Sequence, residues 1–278
     1  MTRLKTIFGK EHGIVIGAIH LPPLLGYPRF PGTEVTLRNA LSDLRAFEDG
    51  GVHGVLFENN YDQPHTVVAG AGSVAAMTYV GERIKRAAHI PVGVNVLWND
   101  FPASLTLAKL LNLAFVRVPV FVDTVKTDCG VIQGRARQVV AFRRAVHADR
   151  VALFADIHVK HAKLLSRWSL VQSARRAMAG GSDALILTGR WTGEAPELAK
   201  LKSVRDAVGD FPILLGSGAD ARNVGALLRY ANGVVVSTSL KRGGRRLGEA
   251  NVKGYAQRIM ATKVKRLTAA ARRPVSPR

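Results

Sequence analysis

The sequence predicts an α/β protein built as one (β/α)8 barrel. Eight short apolar runs alternate with segments of helical periodicity, which is the order of a chain that winds strand, then helix, around a closed sheet. The runs are apolar almost throughout, as in parallel strands that are buried on both faces. Unequal loop lengths give the barrel a direction. Together these observations predict a single TIM barrel with long βα loops on its C-terminal face.

The predicted strands and helices follow one another along the whole chain. Three junctions, "EDGGVHGVLFEN", "MAGGSDALILTG" and "RYANGVVVSTS", share one pattern, since each ends a helix with Gly or Asn and soon enters a strand. We predict strands at "GIVIGAIHL", "GVLFEN", "PVGVNVLWN", "FVRVPVFV", "VALFADIHV", "ALILTG", "PILLGSGA" and "GVVVSTS". Helices are predicted at "TLRNALSDLRAFEDG", "SVAAMTYVGERIKRAAH", "SLTLAKLLN", "GRARQVVAFRRAV", "SLVQSARRAMAGG", "ELAKLKSVRDAVG", "NVGALLRYAN" and "NVKGYAQRIMATKVKRLTA".

The connections differ in length at the two ends of the predicted barrel. Helix-to-strand connections are short, as in "GGVH", "GGSD" and "GDFP". Four strand-to-helix connections are long, namely "PPLLGYPRFPGTEV", "NYDQPHTVVAGAG", "DTVKTDCGVIQ" and "GRWTGEAP". Long loops on one rim are where a barrel carries its binding site. We expect residues 1–262 to form the barrel domain and residues 263–278 to form a flexible basic tail.

Composition favours a soluble protein of a reducing compartment. The chain has 278 residues, 47% of them hydrophobic, and one cysteine, Cys129, which excludes an intrachain disulfide. The apolar part of the N-terminus, Gly13 to Ile19, is shorter than the roughly 20 residues of a membrane span and lacks a cleavage site for a signal peptide. We therefore expect a cytoplasmic location, with peripheral contact to a membrane left open.

The charge of the chain is strongly positive. Forty Lys and Arg stand against twenty Asp and Glu, a net charge of +20, and twelve of the basic residues lie between Lys241 and Arg278. Such a field attracts phosphorylated metabolites, nucleic acid or anionic membranes. For nucleic acid and membranes we expect only weak, nonspecific binding, because a solvated basic surface also explains the pattern.

Polar residues gather where the predicted strands end. One polar residue at a strand end carries no special meaning, but a ring drawn from all eight strands indicates a pocket at the barrel mouth. The stretch "ADIHVKHA" supplies Asp156, His158 and Lys160, which alternation places on one face of the fifth strand. The other members are His20, Glu58, Asn59, Asn95, Asn99, Arg117, Thr188, Ser217 and Ser237 to Ser239.

Five of these residues are candidate catalytic groups, with His20 and Glu58 expected to approach "ADIHVKHA" across the mouth. Asp156 either acts in the site or is a structural carboxylate, hydrogen-bonded to a neighbouring strand or paired with Arg117. His158 suits general acid/base work, because the unperturbed pKa of histidine is about 6.5; a histidine satisfied by Asp156 is the alternative. Lys160 could bind a phosphate, stabilise an enolate or form a Schiff base, or lie on the surface.

Substrate-binding and metal-binding roles are also predicted at the mouth. Asn95, Asn99, Arg117 and Thr188 are candidate substrate ligands. His20, Glu58, Asp156 and His158 are all acceptable ligands for a divalent metal, but no compact metal-binding motif is present, so a metal stays an open alternative. No motif for an organic cofactor is found.

The last two units carry the signal of a phosphate site. In barrels, the loops after strands 7 and 8 often bind phosphate through small residues and backbone N–H groups. Tight corners are the alternative explanation of such small residues. The predicted ligands are Gly216, Ser217, Gly218, Ser237, Thr238, Ser239 and the charge of Lys241.

Several motifs together resemble the BtpA/SgcQ family. They are "VIGAIHLPPLLGYP", "GGVHGVLFEN", "VGVNVLWND", "ADIHVKHA", "LLGSGA" and "STSLK", in the family's order from about Gly13 to Lys241. The resemblance implies a TIM-barrel-like fold of phosphate-binding type. The family's namesake is a photosystem I biogenesis factor of cyanobacterial thylakoid membranes, and another member lies among sugar-transport and sugar-phosphate genes. Members also occur in organisms without photosynthesis, and no catalytic residues are firmly established for the family.

The chain departs from the family pattern in the loop after strand 4. Pro119, Cys129 and Gln133 stand where family members resemble Asn, Gln and Glu. The missing carboxylate at Gln133 argues against acid/base chemistry at that position and weakens the case for a shared substrate.

Three hypotheses of function follow. The first is an enzyme of isomerase, epimerase or lyase type that acts on a small anionic metabolite, such as a sugar phosphate or a nucleotide-like compound, by proton transfer or C–C or C–N bond chemistry. The second is a non-enzymatic assembly or stability factor for a membrane complex, and the third is nucleic-acid binding through the basic C-terminal segment. The polar ring favours the enzyme, because buried polar groups burden a barrel that does not use them. A homo-oligomer is left open.

Overall fold

The computed structural model describes residues 2–189, 191–243 and 254–272. The helices are α1 (Arg3–Phe8), α2 (Thr33–Asp49), α3 (Ala71–Ala87), α4 (Phe101–Leu110), α5 (Ala136–Ala145), α6 (Leu170–Ala179), α7 (Leu198–Val208), α8 (Val224–Leu227) and α9 (Ala261–Ala271). The strands are β1 (Ile14–His20), β2 (Gly54–Glu58), β3 (Val92–Asn95), β4 (Phe115–Val118), β5 (Thr124–Thr127), β6 (Gly130–Gln133), β7 (Ala152–Ile157), β8 (Lys163–Leu164), β9 (Ala184–Leu187), β10 (Ile213–Leu215) and β11 (Gly233–Val236). A short 3-10 helix covers Thr238–Leu240.

Eight parallel strands close into a barrel, which confirms the predicted fold class. The order around the barrel is β1-β11-β10-β9-β7-β4-β3-β2, and β1 completes the circle by pairing with β2. Nearly every residue of these strands is buried, because one face packs inside the barrel and the other packs under the helices. At Gly17 on β1 a Cβ atom would lie 2.5 Å from the ring of Phe47, so glycine lets α2 approach the sheet closely.

The lower half of the barrel interior is filled by apolar side chains. Phe115 and Phe154 stack there with ring centroids 4.7 Å apart, and helix α1 covers them from below. Leu4 of α1 is fully buried in this cluster, and the ring of Phe8 lies 5.8 Å from that of Phe115. The interior is thus a packed core that α1 closes at its N-terminal end, and the polar residues lie at the opposite end.

The long loop after β4 contains secondary structure that the sequence did not predict. Strands β5 and β6 form an antiparallel hairpin, and β8 pairs with β5 to complete a three-stranded sheet, in the order β6-β5-β8, beside the barrel mouth. Gln133, where the chain departs from the family pattern, is an exposed residue at the end of β6.

The C-terminal part of the chain differs from the prediction in two respects. The last helix begins at Ala261, so residues 254–260 are not helical, and Ile259 forms a β-bridge with Lys241. Helix α9 also runs through the boundary expected at residue 262, with Val264 and Leu267 fully buried. Residues 263–271 therefore belong to the outer layer of the barrel, because apolar burial holds them there. The rest of the expected tail, residues 273–278, lies outside the described residues.

Helix lengths bear on membrane insertion. None of the helices in the described ranges is both long and apolar enough to span a bilayer.

Candidate active site at the barrel mouth

The upper end of the barrel interior is lined by polar side chains from neighbouring strands. His20, Glu58 and Asn95 are the last residues of β1, β2 and β3, and they stand side by side in the sheet register. Arg117 of β4 and Asp156 of β7 complete the row, and both are almost fully buried. Strand alternation turns these residues inward, so five of the predicted residues lie together at the mouth.

An ionic network joins these five residues. Arg117 Nε and Nη2 donate to Asp156 Oδ1 and Oδ2 at 2.9 and 2.8 Å. This bidentate contact fixes the planes of the guanidinium and the carboxylate relative to each other. Arg117 Nη1 lies 3.6 Å from Glu58 Oε2, and Asn95 Nδ2 donates to the same oxygen at 3.1 Å. His20 Nε2 lies 3.1 Å from Glu58 Oε1. Glu58 is thus held from three sides.

The environment of Glu58 fixes its charge. Burial raises the pKa of this carboxyl, but the hydrogen bond from His20 and the positive charges around it outweigh burial, so the pKa lies well below its usual range. Glu58 is therefore an ionised acceptor at neutral pH. Arg117 keeps its proton, because Asp156 and Glu58 together outweigh the burial that would lower its pKa.

His20 is a neutral imidazole in one defined tautomer. Burial, with the nearby charge of Lys241, lowers its pKa to about 4, although Glu58 opposes the shift. Because Glu58 is ionised and can only accept, the hydrogen bond between them requires the proton of His20 to be on Nε2. The lone pair is then on Nδ1, to which none of the described residues donates a hydrogen bond. Nδ1 of His20 is accordingly unprotonated at neutral pH and can accept a hydrogen bond or a proton, against the burial that disfavours the imidazolium.

Lys160 enters the site by a route that strand alternation did not predict. Strand β7 ends at Ile157, and His158 adopts a left-handed conformation with a φ of 49°. The backbone N–H of Lys160 donates to Thr188 Oγ1 at 3.0 Å, which anchors the turn to the end of β9. Burial and the positive charge of Arg117 lower the pKa of Lys160 to about 8.

The expectation that His158 faces the site is wrong. The left-handed turn breaks the alternation on which that expectation depended, and His158 does not line the cavity at the mouth. Its backbone N–H lies 3.3 Å from Asp123 Oδ2, and the groups that influence its pKa are Asp123, Trp168 and Lys200. Burial is the largest effect, and it lowers the pKa of His158.

A cavity of about 420 Å³ opens over this network. One wall carries His20, Glu58, Arg117 and Lys160, and the turns after β10 and β11, of which β11 adjoins β1 in the barrel, form a second wall. The volume falls within the range of sites for small metabolites, about 300–1,000 Å³.

The second wall contains all six of the predicted small residues, namely Gly216, Ser217, Gly218, Ser237, Thr238 and Ser239. Gly218 has a φ of 74°, and a Cβ atom there would lie 1.9 Å from the backbone nitrogen of Ala195. Among the described residues, no backbone hydrogen bond uses the N–H groups of Gly218 and Ala219. The first N–H groups of the 3-10 turn that follows Ser237 have no acceptor within the turn.

Ser237 differs from the other two serines of this wall. Its Oγ is buried and has no hydrogen-bond partner in the described part of the chain. The hydroxyl of Ser217, by contrast, bridges the Gly189 N–H and the Glu194 carbonyl, and Ser239 Oγ donates to the Ala219 carbonyl. Ser237 therefore has hydrogen-bonding capacity left for a ligand.

Several predicted substrate ligands instead hold the site together. Asn99 closes a loop through two hydrogen bonds with the backbone of Val120, at 3.0 and 2.9 Å. Asn95 donates a hydrogen bond to Glu58, and Thr188 Oγ1 accepts one from the backbone N–H of Lys160. Lys241 is buried, with Nζ 3.2 Å from Tyr61 Oη, and it does not line the cavity. The positive charge of Lys241 still contributes to the lowered pKa of His20.

Some residues of the cavity wall were not predicted. Asp220, Arg222 and Asn223 follow Gly218, and Asp220 accepts from the Arg222 guanidinium at 2.7 Å. Thr192 lies on the loop after β9, where His161 Nε2 approaches its hydroxyl at 2.6 Å. The length of the "GRWTGEAP" loop indicated that this loop belongs to the mouth, but no motif distinguished Thr192.

The four candidate metal ligands are not brought together. His20 and Glu58 are neighbours, but Asp156 is engaged by Arg117 and His158 lies beside Asp123. Within residues 2–189, 191–243 and 254–272, no group of three or more His, Cys, Asp or Glu side chains is arranged to hold a metal ion.

Solved structures with the same architecture confirm the fold. The N-(5'-phosphoribosyl)anthranilate isomerase from Pyrococcus furiosus matches with a TM-score of 0.55, 13% identity and coverage of 95% of this chain and 100% of that one. The tryptophan synthase from M. tuberculosis matches with a TM-score of 0.60, 16% identity and coverage of 98% and 99%. Both are similar in fold alone.

Curated relatives are similar over most of their length. A protein described as photosystem I biogenesis protein BtpA, from Synechocystis sp., is 37% identical and covers 84% of this chain and 83% of its own. The putative sgc region protein SgcQ of Escherichia coli is 30% identical and covers 88% and 91%. An uncharacterized protein of Archaeoglobus fulgidus is 39% identical and covers 83% and 92%. The model of the BtpA family matches residues 11–266.

Proposed function

The chain belongs to the BtpA family, and we propose that this member is an enzyme that moves a proton on a small phosphorylated carbonyl compound. The observation that carries the proposal is the composition of the two cavity walls. A neutral histidine held by a carboxylate lies on one wall, and unused N–H groups and the Ser237 hydroxyl lie on the other. One wall suits proton transfer and the other suits an anion.

The first wall supports general base chemistry. His20 Nδ1 can take a proton from a carbon next to a carbonyl, and Glu58 stabilises the imidazolium that forms. Glu58 also keeps the ring in the tautomer that leaves Nδ1 free. Lys160 lines the same wall, and its amine can act on the carbonyl group in one of two ways, as a cation that stabilises the enolate oxygen or as a nucleophile that forms an imine. An isomerase, an epimerase or a lyase would use these same steps.

The second wall supports binding of the phosphate. Backbone N–H groups with no other acceptor are strong ligands for an anion at short range. Arg222 forms an ion pair with Asp220, so the two residues together add little net positive charge to this wall. Lys160 and the buried Lys241 contribute the positive charge, which Lys241 already exerts on His20.

The proposal can be tested without knowing the substrate. Dihydroxyacetone phosphate incubated with the protein in D2O should exchange the hydrogens next to its carbonyl, which NMR detects directly. Replacing His20 with Gln should slow the exchange by roughly 100-fold or more, the typical contribution of a general base. Glu58→Gln should slow the exchange as well, because a neutral amide no longer requires the proton of His20 to be on Nε2. Unchanged circular dichroism would show that both variants fold.

The phosphate wall is tested by calorimetric titration of inorganic phosphate. Removing the Ser237 hydroxyl by Ser237→Ala should weaken binding roughly 10-fold, the value of one hydrogen bond to a charged group. Ser203→Ala is the matched control, because Ser203 lies on the exposed face of α7. Absence of both phosphate binding and exchange would refute the proposed function.

The alternative of an assembly factor for a membrane complex has one supporting observation, the name of the Synechocystis relative. That role belongs to the relative. A factor of this kind would not need His20, so intact complex assembly in cells that carry only the His20→Gln variant, together with no exchange activity in the wild type, would favour it.

A further inference from the structure

We infer that Lys160 is a nucleophile that forms an imine with the carbonyl carbon of the substrate. The inference rests on the proposed function and deepens it, because it selects substrates with an aldehyde or ketone that a primary amine can attack. The observation behind it is the position of the amine in the cavity wall and the absence of a partner for it in the described residues.

The surroundings of Lys160 differ from those of the other cation in the same wall. Arg117 is committed to Asp156 and Glu58 through three close contacts. Within the described ranges, Lys160 Nζ makes no hydrogen bond and lies within 4.0 Å of no carboxylate oxygen, although Lys160 lines the cavity. A lysine whose role is structural forms an ion pair or extends into solvent. Lys160 is half-buried in the cavity wall and forms no ion pair with the described residues, so its amine is available to a ligand.

The backbone holds this amine in place. The turn that carries Lys160 is fixed by the bond from its N–H to Thr188 Oγ1. The next residue, His161, is also held, because its Nε2 lies 2.6 Å from Thr192 Oγ1 on the loop after β9. Since a nucleophile must be held close to the reacting carbon, this double anchoring is what such a role requires.

The charge state of Lys160 is consistent with this role. Burial and Arg117 on β4 lower the pKa of the amine to about 8, against the opposing charges of Glu58 on β2 and Asp156 on β7. About a tenth of the amine is then neutral at pH 7, far more than for an exposed lysine. Desolvation beside a second cation is a known way of activating an amine nucleophile.

The chemistry is balanced with the groups present. The neutral amine adds to the carbonyl carbon, and one of its protons moves to the carbonyl oxygen to give a neutral carbinolamine. A second proton, from solvent water, lets the hydroxyl leave as water, which leaves a protonated imine. The imine nitrogen then withdraws electrons from the adjacent C–H bond. His20 Nδ1 accepts that proton, and an enamine forms without any oxidant or reductant.

Reduction of the imine by sodium borohydride gives a direct test. Hydride adds to the imine carbon and a proton from water to the nitrogen, so the label becomes permanent. The full-length protein is incubated with dihydroxyacetone phosphate, reduced and weighed by mass spectrometry. We expect a mass increase equal to the probe less one oxygen atom, located at Lys160 by peptide mapping. Labelling should become faster as pH rises from 6 towards 8.

Three variants make the result specific. Lys160→Met removes the amine and should abolish the label. Lys160→Arg keeps a cation that cannot form an imine, so it should also abolish labelling while retaining phosphate binding. Lys163→Met is the matched control, because Lys163 is an exposed lysine three residues away on β8, and it should leave labelling unchanged.

The outcomes separate the two proposals. If inorganic phosphate binds and hydrogen exchange proceeds but no label forms at Lys160, the imine is refuted and the proposed function stands. Full exchange activity in Lys160→Arg would refute the imine as well, because charge alone would then suffice. If dihydroxyacetone labels Lys160 as readily as its phosphate ester does, the imine is supported and the phosphate wall fails.

Discussion

Replacing Arg117 with Met should destabilise the fold in a way that depends on pH. The guanidinium donates to both oxygens of Asp156 at 2.9 and 2.8 Å, and the side chains of both residues are almost completely buried. Removing one partner of such a pair leaves an uncompensated buried charge, which costs about 3–5 kcal/mol. We expect this loss in the free energy of unfolding at pH 7.5.

The sign of the pH dependence follows from Asp156. Burial already raises its pKa, and without Arg117 that pKa rises further above the value in the unfolded chain. In the pH range between those two values the folded variant binds a proton that the unfolded chain does not, so stability falls as pH rises. The slope is about 1.4 kcal/mol per pH unit, so the variant should recover up to roughly 2.7 kcal/mol between pH 7.5 and pH 5.5.

Urea unfolding at both pH values measures this effect. Asp156→Asn should cost less than Arg117→Met, because Glu58 stays beside Arg117 as a counter-charge. Lys202→Met, which breaks an exposed ion pair with Asp206, should cause no measurable change. A loss below about 1 kcal/mol in Arg117→Met, or a loss that is equal at both pH values, would contradict the assignment of a buried, ionised pair.

Three further predictions concern the mouth and the base of the barrel. Gly218→Ala should abolish phosphate binding and lower the melting temperature, because the new Cβ would lie 1.9 Å from the backbone nitrogen of Ala195. Gly26→Ala is the control and should leave phosphate binding intact, because Gly26 also has a positive φ but no atom lies within 4 Å of the position of its Cβ. His158→Asn should keep hydrogen exchange at the wild-type rate, since His158 lies outside the cavity and Asn tolerates the left-handed backbone; a 100-fold loss would return His158 to the catalytic set. Leu4→Ala should cost about 2–5 kcal/mol in urea unfolding, as a cavity in a packed core does, and a negligible loss would mean that α1 does not seal the barrel.

The sequence predicted most of the barrel because strand periodicity is a local property. The last inward residue of a strand can be found by alternation, and this placed His20, Glu58, Asn95 and Arg117 correctly. The small residues of "LLGSGA" and "VVVSTS" also line the cavity at the mouth. These features depend on only a few neighbouring residues.

Features that depend on tertiary contacts could not be predicted. The turn at His158 has a φ of 49°, and nothing in "ADIHVKHA" marks the end of the strand, since Val159 would continue it equally well. Lys160 was predicted to face the site because it alternates with Asp156 along the strand. It lines the cavity instead because the left-handed turn at His158 carries it there. The pairing of Arg117 with Asp156 is one of three alternatives that the sequence leaves open, because only the folded barrel shows that their separation suits two hydrogen bonds.

Helix α1 has a consequence for the kinetics of any reaction in this barrel. Because Leu4 and Phe8 close the N-terminal end, the described part of the chain leaves the mouth as the way by which a small molecule reaches His20 and Lys160 and leaves again. Entry of the next substrate then has to wait for departure of the product. For the proposed reaction, we therefore expect product to inhibit competitively with substrate.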